Sequence, residues 1–385
     1  MKAPNPPGKN KMEKSKKSAN IADIAKMVGV SKNAVSLALR NSRSISKETT
    51  KKILEAARKL GYVRNEEVSR VMSQIKSSFN PKFFAAIALI NANPDRDALK
   101  KHPTIPEYVR GIYKAAKRES FAVNEFWLYD KKLNGASLAR ILRSRGIAGG
   151  IVVGLMDNNR LPRKFNEVWK NFKFVVTGVR TYNPTFDFVS TDHFLLAYKA
   201  TLEALRRGYR RPALVLDETI DELIEGRFTG GYLKAQLKIP KADRIEPFFD
   251  VKGARKNREI FYKWFRENSP DAIITLYNFP FDWLREIGVE APRDIALIQL
   301  EWRRGEPYWT GMNQRNDLVG ESAVEHLSKI LRQSNYAKED SVRAILISPE
   351  WVESKTISKI GKKSARENPG AGNLKGAKNL PLKKA

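Results

Sequence analysis

Short apolar runs alternate with longer amphipathic stretches along most of this 385-residue chain. Beyond residue 83 the apolar runs have the composition of strands buried on both faces of a parallel sheet. They are FFAAIALI (83–90), GGIVVG (149–154), KFVVTG (173–178), PALVLD (212–217), DAIITL (271–276) and DIALIQL (294–300). The stretches between them, among them 108–118, 193–207 and 230–237, have the spacing of amphipathic helices. This repetition predicts an α/β doubly wound domain whose ligands bind at the carboxyl ends of strands.

The segment from residue 20 to 65 has a different pattern, in which the apolar residues recur at helical spacing. Asn20 can accept hydrogen bonds from the amides of a following helical turn, and Asp23 complements the positive end of that helix. We therefore expect a first helix from Ile21 to about Met27, followed by a turn at Gly29.

Ser31 is a good N-cap for a second helix, which is predicted to run from Lys32 to about Leu39. Its apolar face, directed to a core, consists of Val35, Ala38 and Leu39. The residues that can point outward are Lys32, Asn33, Ser36 and Leu37. A turn between two short helices of this kind makes the second one a candidate recognition helix.

Ser46 is a good N-cap for a third helix, and Gly61 is a typical residue to end it. The apolar residues at helical spacing in this helix are Ile53, Leu54, Ala57 and Leu60. Three short helices that share one apolar face predict a small all-α domain over residues 20–64. The alternative is a helical bundle that binds nothing in particular, since capped amphipathic helices are common.

The ordered motifs of this segment resemble the DNA-binding headpiece of the LacI family of bacterial repressors. The matching residues are Ile21, Asp23, Ile24, Ala25, Gly29, Val30, Ser31, Val35, Ser36, Asn41, Ile45, Ser46, Thr49, Ala57, Leu60, Tyr62 and Asn65. The resemblance implies a three-helix DNA-binding headpiece followed by a two-lobed, periplasmic-binding-protein-like domain.

The same resemblance implies which headpiece side chains contact DNA. The base-reading positions are Lys32, Asn33 and Leu37, and the phosphate-contacting positions are Ser31, Ser46 and Thr49. Lysine suits the acceptors of guanine and asparagine suits adenine, whereas leucine can offer only apolar contact, for instance to a thymine methyl group.

A short hinge helix is expected within residues 65–82, although Arg64 stands where the family usually has proline. The family's minor-groove wedge falls on Val71, with Met72 beside it, and either side chain could partly unstack a base step. The alternative is that these apolar residues only pack the hinge helix against its partner.

The resemblance extends over most of residues 83–356. It rests on three segments, 189–215, 225–235 and 310–327. The second, EGRFTGGYLKA, resembles the family's motif R-x-x-G-[FY], an arginine followed three residues later by glycine and an aromatic residue. The C-terminal SPEWVESKT departs from the family, because Ser354 stands near the place of its usual arginine. The pairing of the last strand is therefore less certain.

In sugar-responsive relatives an arginine, an asparagine and an aspartate hold the ligand hydroxyl groups. Arg227 matches the arginine, Asn278 falls near the asparagine, and Glu301 stands at the aspartate position, followed by Trp302. Asp192 is a further candidate. The alternatives are a solvated helix residue for Arg227, a helix cap for Asp192 and ordinary packing for the tryptophan. The implied effector is a small polar, sugar-like molecule.

Charge is concentrated outside the large domain. The net charge is +29 overall, with +5 in residues 1–19, +8 in 20–82 and +8 in 355–385, which leaves +8 for 83–354. Both tails, 1–19 and 357–385, are rich in Lys, Gly, Pro, Asn and Ser, so we expect them to be disordered. They could also attract DNA phosphates without sequence preference.

The remaining composition limits the chemistry. Cysteine is absent, so a disulfide framework or a thiolate metal site is excluded. There is no apolar signal core and no apolar stretch long enough for a membrane span, so we expect a soluble cytoplasmic protein. Nucleotide-binding glycine motifs and the zinc motif H-E-x-x-H are missing, which disfavours an enzyme, and no cofactor or metal is expected.

These observations predict a sequence-specific transcriptional regulator, a repressor, that binds a near-palindromic operator as a homodimer under the control of a small effector. An architectural DNA binder without effector response is the alternative. A solute-binding protein for a transporter is opposed by the headpiece.

Overall fold

The computed structural model describes residues 21–39, 45–60, 85–332 and 341–359. The chain divides into two compact units, the first up to Lys82 and the second from Phe83 onward. Each unit is described separately below.

The N-terminal unit contains three helices, α1 (Ile21–Val28), α2 (Lys32–Ala38) and α3 (Lys47–Lys59). They pack around one apolar cluster, whose fully buried members are Ile24, Val35, Ala38 and Ile53. Gly29 connects α1 and α2 with φ +73°, a backbone conformation that residues with a Cβ rarely adopt. The three predicted helices and the turn between the first two are thereby confirmed.

Leu54, which was predicted to belong to the apolar face of α3, is 41% exposed. Ala56, at 3% exposure, lies in the core instead. The reason is helical geometry: Ile53, Ala56 and Ala57 lie on one stripe, whereas Leu54 is rotated by about 100° from its centre. The predicted caps Asn20 and Gly61 lie outside the described residues.

The larger unit has eleven strands among its described residues. They are β1 (Ala85–Asn91), β2 (Phe121–Trp127), β3 (Gly149–Val153), β4 (Lys173–Thr177), β5 (Asp187–Thr191), β6 (Pro212–Val215), β7 (Ala272–Thr275), β8 (Ala296–Gln299), β9 (Thr310–Asn313), β10 (Ala344–Ile347) and β11 (Glu350–Val352). All six apolar runs are strands, which confirms that prediction.

The helices of this unit lie in the connections between strands. They are α4 (Ala98–Lys101), α5 (Ile105–Arg118), α6 (Gly135–Ser144), α7 (Asn166–Asn171), α8 (His193–Arg206), α9 (Glu218–Leu223), α10 (Arg227–Gln236), α11 (Val251–Lys256), α12 (Glu259–Asn268), α13 (Phe279–Glu286) and α14 (Asn316–Arg332). Short 3-10 helices occur at Arg163–Phe165 and Lys241–Asp243. Two helices begin three residues earlier than predicted, α5 at Ile105 and α10 at Arg227.

The strands form two sheets, which define two lobes. The sheet of lobe A has the order β10-β5-β4-β3-β1-β2, and all its neighbouring strands are parallel. The sheet of lobe B has the order β11-β9-β8-β7-β6, with β6 to β9 parallel and β11 antiparallel to β9. The two-lobed, doubly wound architecture is therefore confirmed, and the last strand pairs with β9.

Five strands were not predicted from apolar runs: β2, β5, β9, β10 and β11. Three of these, β2, β10 and β11, are edge strands with partly exposed side chains, so they lack a continuous apolar run. β5 and β9 each include polar residues, which also interrupt the pattern.

The chain passes between the lobes three times, from β5 into α8, from β9 into α14 and from β10 into β11. Helix α14 returns to lobe A and packs against α5. Gly111 and Gly320 allow the two helices to approach closely, because a Cβ on either would collide with a backbone carbonyl oxygen of the other helix. One apolar cluster includes residues of both sheets. It also includes Ile357, at 6% exposure, which the sequence placed in the C-terminal tail.

Candidate functional site

The start of α2 carries the side chains that are predicted to contact DNA bases. Lys32 is the first residue of this helix and is exposed. Leu37 is half-buried. The side chain of Asn33, and Val71 and Met72 of the predicted hinge, lie outside the described residues. Lys32 is therefore accessible to a partner in solvent, and the base-reading and minor-groove roles stay predictions.

Hydroxyl groups cap the N-termini of α2 and α3. The Oγ of Ser31 accepts a hydrogen bond from the Ala34 amide at 3.1 Å, and the Oγ of Ser46 accepts one from the Thr49 amide at 3.2 Å. The Ser46 and Thr49 hydroxyl oxygens are 2.8 Å apart. The N-terminus of a helix attracts anions such as phosphate. These positions are consistent with phosphate contacts by Ser31, Ser46 and Thr49.

In the larger unit, the five predicted effector residues all follow the carboxyl ends of parallel strands. Loops at these ends from the two lobes are in direct contact. For example, Asn159, after β3 of lobe A, donates a hydrogen bond from Nδ2 to the carbonyl of Leu223 in lobe B at 2.8 Å. We call this region, formed by the loops after β3 to β5 and after β6 to β9, the lobe junction.

Arg227, at the start of α10, is already paired within the protein. Its guanidinium forms an ion pair with Glu225, whose carboxylate also lies 2.8 Å from Nε of Arg180 and accepts a hydrogen bond from Tyr182 at 2.7 Å. The guanidinium carbons of Arg180 and Arg227 lie 5.1 and 5.5 Å from the ring centre of the buried Phe188. We call Arg180, Tyr182, Glu225 and Arg227 the Glu225 cluster.

The pKa of Glu225 is lowered. Burial alone would raise it, but the hydrogen bonds from Tyr182 and Arg227 and the charges of Arg227 and Arg180 outweigh that effect. The carboxylate is therefore ionised at neutral pH and balances part of the positive charge of the two guanidinium groups.

The structure distinguishes the two glycines of the motif. A Cβ on Gly231 would collide with the backbone of Phe194 in α8, whereas a Cβ on Gly230 would lie 3.5 Å from the Phe194 ring. Since the buried Tyr232 follows Gly231 directly, the motif's glycine–aromatic pair is Gly231 and Tyr232. The place three residues before this glycine is then Phe228, which is 2% exposed. Arg227 lies one residue upstream of the motif's arginine position.

Asp192 caps a helix. Its Oδ1 accepts a hydrogen bond from the Leu195 amide at 3.0 Å at the start of α8. The next residue, His193, is buried with its ring centre 4.9 Å from that of Phe228. Burial and the nearby charge of Arg227 lower the pKa of His193 to about 3, so its ring is neutral at physiological pH.

Asn278 follows β7 and is bonded to side chains of its own lobe. Its Nδ2 donates to Glu306 at 2.7 Å, and its Oδ1 accepts from Nε2 of Gln299 at 2.8 Å. Gln299, the last residue of β8, is 2% exposed. The structure thus links the predicted Asn278 to a glutamine that the sequence did not single out.

Glu301 lies two residues beyond β8 and is paired with Arg303. Its Oε2 accepts from the guanidinium at 2.7 Å, and Asn316, at the start of α14, donates to its Oε1 at 3.4 Å. Trp302 is half-buried, and its backbone amide donates to the carbonyl of Met312 at 2.9 Å. Glu301 and Trp302 therefore lie together, at a place where two further polar side chains meet them.

Four polar atoms in this part of the junction are buried without a hydrogen-bond partner. They are Oε1 of Gln299, Nε1 of Trp302, Nε of Arg303 and Oδ1 of Asn316, and we call these residues the unpaired set. Eight such atoms occur among the described residues, so half of them fall within one short stretch of sequence and structure. Buried polar groups in folded proteins are usually paired, so this concentration is a feature expected of a site for a polar partner.

Two of the residues that were not predicted, Gln299 and Arg180, have a weak signal in the sequence. Gln299 is the penultimate residue of the predicted strand run 294–300, and Arg180 follows the run 173–178, so each lies near a strand end where ligands bind in such folds. Glu225 is two residues from Arg227, but its left-handed backbone, with φ +63°, is not readable from the residue type.

Two cavities lie away from these residues. A groove of about 580 Å³ lies between the end of α8 and residues 238–243, and a smaller cavity of about 260 Å³ lies beside Asn91 and Trp127. Neither is lined by any of the five predicted effector residues. The loops of the two lobes are in contact at the junction in this structure.

Comparisons with known proteins follow the same division of the chain. Residues 20–65 match the family model described as bacterial regulatory proteins, lacI family. Residues 97–276 match the model described as periplasmic binding proteins and sugar binding domain of LacI family.

The chain belongs to the LacI family. It is similar to the HTH-type transcriptional regulator MalR of Streptococcus pneumoniae, with 25% identity over 66% of this chain and 75% of that protein. It is also similar to the HTH-type transcriptional repressor PurR of Histophilus somni, with 22% identity over 89% of this chain and 100% of PurR. LacI-family proteins are DNA-binding transcriptional regulators, and these relatives are not enzymes.

The fold is also similar to solved structures of transcriptional regulators. The transcriptional regulator CelR–cellobiose complex aligns with a TM-score of 0.53 and 17% identity, over 88% of this chain and 99% of that one. In the described part of this LacI-family chain, no helix is long and apolar enough to cross a membrane, and no group of three or more His, Cys, Asp or Glu residues could hold a metal ion.

Proposed function

We propose that this LacI-family protein is a transcriptional repressor that binds a near-palindromic operator as a homodimer and responds to a small, neutral, sugar-like effector at the lobe junction. The observation that carries the effector part of this proposal is the concentration of buried unpaired polar atoms in the unpaired set. The DNA-binding part is supported by the exposed start of α2 on a three-helix headpiece.

The unpaired set suggests the chemistry of the effector. Trp302 Nε1 and Arg303 Nε are hydrogen-bond donors, whereas Gln299 Oε1 and Asn316 Oδ1 are acceptors. A hydroxyl group can both donate and accept, so a polyhydroxylated molecule can satisfy all four atoms. The match of residues 97–276 to a family that includes sugar-binding domains, and the cellobiose bound to CelR, support the same class of ligand.

The charged groups support a neutral effector. Glu301 is paired with Arg303, and Glu225 with both Arg227 and Arg180, so each of these carboxylates and guanidinium groups already has a charged partner within the protein. A charged ligand would have to break such a pair, whereas a neutral one can leave all of them in place.

DNA binding is tested by selecting genomic fragments with the purified protein at physiological salt and sequencing those retained. We expect a shared, near-palindromic site. In Lys32→Ala the discrimination at one base position of each half-site should fall by about 2 kcal/mol. Lys59→Ala, which removes an exposed lysine at the end of α3, is the charge-matched control and should keep the same preference. Equal weakening on all DNA in Lys32→Ala would make Lys32 a phosphate contact instead.

Effector binding is tested by the rise in melting temperature with a panel of neutral mono- and disaccharides that includes cellobiose. A ligand that binds the folded state stabilises it by mass action. We expect at least one sugar to raise the melting temperature of the wild type and to have a smaller effect on Trp302→Phe, which lacks the indole N–H.

A constitutive DNA binder without effector response is the second candidate. It is favoured by Phe228, an apolar residue at the motif's arginine position, and by the pairing of Glu301 with Arg303. A shared operator without stabilisation by any sugar of the panel would support it. Retention of DNA without a common motif, with strong salt dependence, would support a non-specific architectural role.

A further inference from the structure

The Glu225 cluster joins residues that belong to different lobes. Arg180 and Tyr182 follow β4 in lobe A, whereas Glu225 follows α9 and Arg227 begins α10 in lobe B. The carboxylate of Glu225 lies 2.8 Å from Nε of Arg180 and accepts from Tyr182 at 2.7 Å, so both of these contacts cross the junction.

Two further contacts cross the junction at the same place. The guanidinium of Arg227 lies over the ring of Phe188, which belongs to β5 of lobe A. Asn159 of lobe A donates to the carbonyl of Leu223, the last residue of α9. The amide of Tyr182 in turn donates to the carbonyl of Asn159 at 2.9 Å, so the lobe A half of this contact region is itself held together.

The backbone of lobe B presents Glu225 in an unusual way. Glu225 and Gly226 both have positive φ, +63° and +71°, directly after α9. A left-handed conformation is unfavourable for a residue with a Cβ and persists only where surrounding contacts maintain it. The contacts of the Glu225 side chain with Arg180, Tyr182 and Arg227 are of this kind.

We propose that Glu225 is a built-in latch, which holds the two lobes together without an effector by joining Arg180 and Tyr182 of lobe A to Arg227 of lobe B. Opening the lobes breaks the two charge-assisted contacts to lobe A and leaves the carboxylate with Arg227 alone. The regulatory meaning of this latch rests on the proposed function: an effector that changes the angle between the lobes has to do so against it. The contacts themselves do not depend on that function.

The test is a distance measurement between the lobes by electron paramagnetic resonance. The chain has no cysteine, so spin labels attach only to cysteines introduced at Lys132 in lobe A and Lys256 in lobe B, both of which are exposed. We expect one narrow distance distribution in the otherwise wild-type protein. In Glu225→Gln the population of other lobe distances should rise roughly tenfold, because the ion pair with Arg180 is lost and the hydrogen bond from Tyr182 is no longer charge-assisted.

Glu286→Gln is the matched control. The Glu286 carboxylate pairs with Arg258 and accepts from Tyr262 at 2.9 Å, so it has the same kinds of partner, but all three residues belong to lobe B. We expect the label distances in this variant to equal those of the wild type. An unchanged distribution in Glu225→Gln, or an equal change in Glu286→Gln, would overturn the latch.

Tyr182→Phe keeps the proposal testable if Glu225→Gln does not fold. It removes one cross-lobe hydrogen bond and no charge, and a smaller rise of the same second population is expected. Operator retention is measured on the same samples. Failure of the wild type to select a DNA site would contradict the proposed function, whereas the label distances would still decide whether Glu225 holds the lobes together.

Discussion

The two parts of the lobe junction use their polar groups in opposite ways. In the Glu225 cluster, the carboxylate receives three side chains, two of them from the other lobe. In the unpaired set, four atoms are buried without hydrogen-bond partners, whereas in the Glu225 cluster only Nε of Arg180 is, and that atom is in an ion pair with Glu225. The contrast separates two tasks that the sequence motifs assigned to one site. One part of the junction connects the lobes, and the other has the unused hydrogen-bonding capacity that a ligand requires.

The largest change in the free energy of unfolding is expected from displacing α10, the helix that begins with Arg227 of the Glu225 cluster. In Gly231→Ala the new Cβ would collide with the backbone of Phe194, so α10 must shift away from α8. We expect a loss of about 3 kcal/mol in the free energy of unfolding, measured by urea denaturation. Gly230→Ala, whose Cβ has ordinary contact distance to Phe194, should be neutral or slightly stabilising. Equal stability of the two variants would show that α10 tolerates displacement.

The free energy of unfolding should depend on pH through His193, which is buried near Arg227 of the Glu225 cluster. The pKa of His193 is about 3 in the folded protein and about 6.5 when unfolded, so below pH 6.5 the unfolded state binds more protons. Stability is therefore complete above pH 6.5 and falls as the pH decreases toward 3. This residue should account for a loss of about 2 kcal/mol between pH 7 and pH 5.

The measurement compares urea unfolding of the wild type and His193→Gln at both pH values. Between pH 7 and pH 5, the free energy of unfolding of the variant should fall by about 2 kcal/mol less than that of the wild type, even if the variant is less stable at pH 7. Identical acid sensitivity of the two proteins would mean that His193 is not held neutral by its surroundings.

The smallest effect comes from deleting one polar group in each part of the junction. Asn159→Ala leaves the carbonyl of Leu223 without its partner and should cost about 1.5 kcal/mol. Trp302→Phe removes an N–H that has no partner, so the stability of the ligand-free protein should change by less than about 1 kcal/mol. Chemical denaturation of both variants gives the comparison. A larger loss in Trp302→Phe than in Asn159→Ala would reverse the assignment of paired and unpaired groups.

Much of the fold followed from the sequence because its signals are local. Apolar runs identify strands buried on both faces, and Ser31 and Ser46 identify helix starts by a hydrogen bond to an amide three residues on. Edge strands such as β10 were missed because half-exposed strands have no continuous apolar run.

The candidate site was less predictable, since its contacts join distant parts of the chain. The pairing of Arg227 with Glu225 depends on a left-handed backbone, and the contact of Glu225 with Arg180 depends on how two lobes meet. The close approach of Gly231 to the backbone of Phe194 in α8 also joins distant parts of the chain, and residue spacing does not distinguish Gly231 from Gly230.

The three passages of the chain between the lobes determine when each lobe can be completed during synthesis. Lobe A is complete only when α14 packs against α5 and β10 pairs with β5. Both α14 and β10 follow β9 of lobe B in the sequence. A ribosome therefore finishes nearly all of lobe B, up to β9, before the last strand of lobe A exists. Until then, one edge of the lobe A sheet and the face that α14 covers are open to solvent, and this is the period when a nascent chain is prone to aggregate or to need a chaperone.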